Sequence, residues 1–216
     1  VSVGPVSSNY ERAIEMYYQL KGGQVDYGKI HSQKYKIIQK PSEKNYQGLY
    51  PEWSQDNPIH IIGHSMGGQT ARMLDYLLSQ EFFEDKDGLI KEKSELLGSS
   101  SKEYIYSITA ISTPHNGTTL SEIITKTIPF IQYFIGIAGV VGTDFYNFDL
   151  EQWGFKRNLK ESWSSYLYRM RNHISWKTKN IASWDLSLSG AEELNSLFQI
   201  SSDIYYFSII TSTTMK

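Results

Sequence analysis

The sequence holds no cysteine and only six prolines among 216 residues. Without thiols there is no disulfide framework, no thiolate metal site and no cysteine nucleophile. Neither sign of charge dominates: 21 Lys and Arg stand against 23 Asp and Glu, a formal net charge of −2. That balance argues against a nucleic-acid binder working through bulk basicity. Long apolar runs are also missing. The longest spans residues 128–141, about 14 residues, and is interrupted by Pro129, Gln132, Gly136 and Gly139. A spanning helix needs about 20 apolar residues. The first residues, Val1-Ser2-Val3-Gly4-Pro5, show neither Met nor a signal-peptide pattern.

What is present is a globular composition, 40% hydrophobic with nine Phe, five Trp and 16 Tyr. Collagen and composition-driven disorder are excluded. A chain of this length can bury roughly 70% of its unfolded surface as one domain. Both ends read as cuts through a larger protein, with Val1 to Val3 as the tail of a strand.

The patterning predicts a helix over 10–20, capped by Ser8 or Asn9 and ended by Gly22 and Gly23. Residues 24–56 read as irregular and polar. Ile59-His60-Ile61-Ile62 reads as a short strand buried on both faces, followed by a helix over 67–79. Residues 81–102 read as helix plus loop, 104–111 as a second core strand and 112–117 as a turn-rich loop. Further helices are expected over 163–170 and 190–198, and a last strand over 204–210. Strands alternating with helices predict an α/β fold with a mainly parallel sheet flanked by helices.

The residues with the clearest chemistry are Gly63-His64-Ser65-Met66-Gly67. They fit the G-x-S-x-G nucleophile elbow, with the strand before and the helix after that the motif requires. The serine stands on a strained turn where small neighbours are needed, so glycine at i−2 and i+2 is the expected reason for the spacing. The turn exposes the Ser65 hydroxyl and aims the Met66 N–H, at a helix N-terminus, toward a developing oxyanion. The plainer alternative is a chance glycine–serine turn. Serine needs a general base, and after Ser65 the only histidines are His115 and His173. Each reads more readily as a loop or packing histidine than as that base. His64 is expected at the pocket floor and His60 in alternation with strand core residues.

Residues 59–74, IHIIGHSMGGQTARML, resemble the elbow of the secreted triacylglycerol lipases of staphylococci and thermophilic bacilli. Residues 4–13, 22–28, 111–118, 149–154 and 184–195 resemble the same family in the same order, so the likeness runs along essentially the whole chain. It implies an α/β-hydrolase with a lid or insertion over about 118–185, secretion, and action on lipid at a lipid–water interface. It also implies that an HGF-type oxyanion loop precedes Val1, and that the triad acid, the triad histidine and a calcium site follow Lys216. His115 then belongs to a structural TPH-[ND]-G loop. A short-chain carboxylesterase and a catalytically incomplete lipid-binding fragment are the alternatives.

The resemblance further implies a zinc site of two carboxylates and two histidines, whose positions fall on Glu11, His31, Ile37 and Asp185. Ile37 supplies no donor, so zinc there would have three protein ligands and water. The alternative is a zinc-free, hydrogen-bonded junction of Glu11, His31 and Asp185. Residues 123–141 suit either a core helix or a lid able to face both pocket and interface.

Overall fold

A computed structural model describes residues 1–85, 87–119, 151–154, 160–173 and 177–212. The expected lid at 123–141 lies outside them. Residues 1–8 form no strand. The first helix, α1 (Asn9–Lys21), starts where the Ser8 hydroxyl accepts the Glu11 N–H at 3.3 Å and stops at Gly22, whose φ of 93° closes a bond to Tyr18 O.

The stretch expected to be irregular contains a strap: β1 (Gly23–Gln24), α2 (Lys29–Tyr35) and β2 (Asn45–Tyr46), with β1 and β2 antiparallel. A buried ion pair fastens it to α1. Lys44 Nζ lies 2.7 Å from Glu15 Oε1, the Tyr27 hydroxyl donates to the same oxygen, and Gly4 N–H donates to Glu15 Oε2.

The sheet begins with β3 (Ile59–His64), which leads directly into α3 (Met66–Ser79). A hairpin of β4 (Phe83–Glu84) and β5 (Lys91–Glu92) then stands where a helix was expected. Asp85 decides this: its carboxylate accepts the Ile90 N–H and its carbonyl accepts the Gly88 N–H, and Gly88 has a φ of 66°. Glu92 reaches back to accept the N–H groups of Lys29 and Ile30, neutralising the start of α2, where Gly28 offers no side chain.

The sheet continues with β6 (Ile105–Ile111). Among the described residues three α-helices follow, α4 (Trp163–Arg171), α5 (Ala182–Asp185) and α6 (Leu188–Leu197), and then β7 (Tyr205–Ile209). The described strands pair in parallel in the order β3-β6-β7, with Ile61 opposite Ile108 and Gly63 opposite Ala110.

Those four residues face α3, whose Leu74, Leu77 and Leu78 are fully buried, and α1 packs beside α3 through Ala13, Ile14 and Tyr17. The opposite face carries His60, Ile62 and His64, all exposed, together with Tyr205, Phe207 and Ile209. Ile62 is 72% exposed. The strand expected to be buried on both faces is therefore buried on one.

Candidate active site

Ser65 occupies the single position between β3 and α3. Its φ of 53° and ψ of −126° lie in backbone space that costs a non-glycine residue about 1–3 kcal/mol. Two bonds hold it there. Its N–H donates to Ile111 O at 2.9 Å, and its carbonyl accepts the Gly68 N–H at 3.2 Å. The end of β6 and the first turn of α3 thus fix the turn from both sides, and the side chain is exposed. The first N–H groups of a helix have no intrahelical acceptor. Met66 opens α3, so its amide belongs to the positive helix end beside the Ser65 hydroxyl.

The need for small residues falls differently from the motif's spelling. A Cβ on Gly63 would come within 2.5 Å of the Gly67 carbonyl group, so i−2 must be glycine. A Cβ on Gly67 would meet no described atom within 4 Å. The second demand sits at Gly68, where a Cβ would come within 2.2 Å of Thr113 Oγ1 and 3.0 Å of the Ala110 Cβ. The loop after β6 presses on i+3, not i+2.

Behind the elbow lies a polar seam. Gln69 donates to Pro114 O at 2.8 Å and accepts from Asn9 Nδ2 at 3.3 Å, while Thr70 Oγ1 lies 2.8 Å from Asn9 Oδ1. It ties α1, α3 and the Pro114 loop together. The sequence offered Asn9 only as a candidate helix cap and no role for Gln69.

The histidines are spoken for. His115 Nδ1 lies 3.5 Å from Arg72 Nη1 and its carbonyl accepts from Asn195. Burial, then the Arg72 charge, lower its pKa. The His173 ring meets the Trp153 ring edge-on at 6.3 Å. Among the described residues no histidine is hydrogen-bonded to the Ser65 hydroxyl. His64 is exposed on the open face of the sheet. His60 alternates as expected and bonds Ser107 Oγ at 2.8 Å.

Glu11, His31 and Asp185 are all buried. His31 Nε2 lies 3.6 Å from Glu11 Oε1, outside hydrogen-bond range, and has no hydrogen-bond partner. Its ring stacks on Tyr10 at 4.0 Å, and burial lowers its pKa against the pull of Glu11. Asp185 points elsewhere: its Oδ2 accepts the Asn9 N–H at 2.5 Å. Burial pushes the Asp185 carboxyl up to about 7; the Asn9 bond opposes this and the Glu11 charge adds to it. Ile37 is partly buried against the apolar core. The structure thus sets His31 beside Glu11, and among the described residues no three His, Asp or Glu side chains are arranged to hold a metal ion.

Residues 1–216 match the family model described as lipase-like, C-terminal domain. The chain belongs to this lipase-like family. It is 40% identical over 214 residues to the lipase of Staphylococcus hyicus, covering 95% of the chain and 32% of that protein. It is 36% identical to lipase 1 of Staphylococcus aureus (strain MRSA252), covering all of the chain and 32% of that protein. The crystal structure of the S. hyicus lipase superposes with a TM-score of 0.83 at 38% identity, over 95% of this chain and 54% of that one. Lipase 1 from Pelosinus fermentans gives 0.72 at 39% identity, over 95% and 56%. The chain therefore spans about a third of the curated relatives it matches and about half of the solved chains. The parallel sheet and its flanking helices form an α/β-hydrolase fold, as in these lipases.

Proposed function

We propose that the protein carrying this chain is a serine hydrolase that cleaves the carboxylic esters of acylglycerols. The observation that carries the reading is the strained, exposed Ser65 at the strand-to-helix turn, in a chain whose relatives are named lipases. Ser65 Oγ attacks the ester carbonyl and the Met66 N–H receives the negative charge on its oxygen. The alcohol leaves with the serine proton, and water releases the acid from the acyl-enzyme. The base that moves the proton is a histidine outside residues 1–216, paired with an acid also outside them. His115 and His173 are engaged with Arg72 and Trp153. The lid expected over 123–141 lies outside the described residues, and the protein acts after secretion. No described helix is long and apolar enough to cross a membrane.

Ser65→Ala in the full-length protein tests the reading. The expected loss in kcat on a glyceride ester is on the order of 10⁶-fold, with an unchanged circular dichroism spectrum. A variant keeping a tenth of its activity would remove Ser65 from the mechanism.

A further inference from the structure

The junction of α1, α2 and α5 is where the family resemblance expects zinc, and the donors around Glu11 have a different chemistry. Its Oε2 accepts from the Gln152 amide nitrogen at 2.8 Å. Its Oε1 accepts from the Asn180 amide nitrogen. Gln152 and Asn180 are 0% and 3% exposed, so neither amide is shared with water. Gln152 Nε2 also donates to Ser7 Oγ at 3.1 Å, and Asn180 Oδ1 accepts from Ser8 Oγ at 2.6 Å. The Asn180 amide is thus held with its N–H group toward the carboxylate, while Gln152 Oε1 has no hydrogen-bond partner.

A metal site needs lone pairs aimed at a common point, and tetrahedral zinc needs four donors. Here the carboxylate is already approached from both oxygens by N–H donors, which present positive hydrogen to any entering cation. Asp185 accepts from the Asn9 backbone, and Ile37 has no lone pair to give. Against this stand two features a cation would use, the buried and unpartnered His31 Nε2 and Gln152 Oε1, but Gln152 turns its N–H and not this oxygen toward Glu11. A single imidazole nitrogen beside a carboxylate already engaged at both oxygens gives half a coordination shell.

The ring has another anchor. It stacks on Tyr10 at 4.0 Å with planes 12° apart and meets Tyr35 at 4.7 Å. A movement of a few tenths of an ångström would bring an Nε2–H within bonding range of Glu11 Oε1.

We infer that this chain closes the junction with a metal-free latch, in which the Gln152 and Asn180 amides clamp Glu11 and His31 acts as an aromatic packing element. The latch joins segments far apart in sequence: Glu11 lies 141 residues from Gln152 and 169 from Asn180. A metal would do the same cross-linking in relatives that hold one. A junction closed without metal leaves Ile37 free to pack against the apolar core.

The test uses the full-length protein, expressed with zinc in the medium and purified without chelator. Elemental analysis is expected to find well under one zinc per chain, and a zinc-selective chelator, with calcium kept in the buffer, is expected to leave the melting temperature unchanged. Gln152→Glu sets a second carboxylate against Glu11 and is expected to lower the melting temperature by several degrees, with or without zinc. Ile37→His supplies a second imidazole and is expected to gain zinc. About one zinc per chain in the unaltered protein, released by His31→Ala or by the zinc-selective chelator with a fall in melting temperature, would overturn the latch. So would a Gln152→Glu variant that melts with the parent.

Discussion

Glycine does two separate jobs at the elbow, and the structure assigns each to a position. Gly63 must let the Gly67 carbonyl group pass, and Gly68 must let the Thr113 loop pass, while Gly67 has open space among the described residues. Gly67→Ala is therefore expected to keep activity and to add up to about 1 kcal/mol of stability, the helix preference of alanine over glycine. Gly63→Ala forces backbone to move and is expected to cost about 1–3 kcal/mol and most of the activity. Urea melts and ester hydrolysis on the two variants in parallel check this. Equal effects would mean that the turn is held in another way. The five-residue motif was legible from its spelling. The pressure on Gly68 was not, because Thr113 lies 45 residues away and reaches the elbow only through the pairing of β3 with β6.

At the scale of elements, the strap from β1 to β2 is anchored by Val25 and Tyr27 in the core and by the buried Lys44–Glu15 ion pair. Burial raises the Glu15 pKa, with Lys44 and Tyr27 opposing. Lys44→Met would leave that carboxylate buried without its counter-charge, a situation that costs about 3–5 kcal/mol. A group whose folded pKa is raised is stabilising when protonated and loses that stability as pH rises through its folded value. The deficit of Lys44→Met relative to the parent should thus be smallest in acid and grow toward neutral pH. Thermal melts across that range measure it, and a pH-independent deficit would show that Glu15 keeps its charge satisfied without Lys44. Neither partner announced itself in the sequence, since Lys44 lies in a polar stretch that reads as loop. The helix expected over 81–102 failed for a related reason: the Asp85 and Gly88 turn outweighed the charged, helix-compatible composition around it.

Within residues 1–216, which span about half of the solved relatives, the sheet is buried on the α3 side, and Ile62, Tyr205, Phe207 and Ile209 are exposed on the other. The elbow opens at the C-terminal ends of β3 and β6, where a covering segment could control access for lipid. If residues 123–141 are that cover, replacing Phe130 and Phe134 with Ser in the full-length protein should weaken hydrolysis of emulsified triglyceride more than of a soluble short-chain ester. Each such side chain transferred between pocket and interface is worth about 1.5–3 kcal/mol, enough for a few contacts to hold a closed state that a lipid surface can open. Equal losses on both substrates with a lowered melting temperature would mark the segment as core and favour a short-chain esterase.

Local chemistry carried the parts of this protein that could be read along the chain. Ser8 caps α1 and Gly22 ends it, the Ile-rich runs form β3 and β6, and Gly63 and Ser65 make the elbow, because each depends on neighbours within a few residues. The rest depended on partners brought together by folding. The open face of β3 reflects which side α3 covers, a property of the sheet and not of the run Ile59 to Ile62. The surroundings of Glu11 were settled by Gln152 and Asn180, whose amides have meaning only beside a carboxylate far away in the chain. A buried charge must be matched by whatever polar groups the packing places within about 3 Å, and no spacing rule lists those groups in advance.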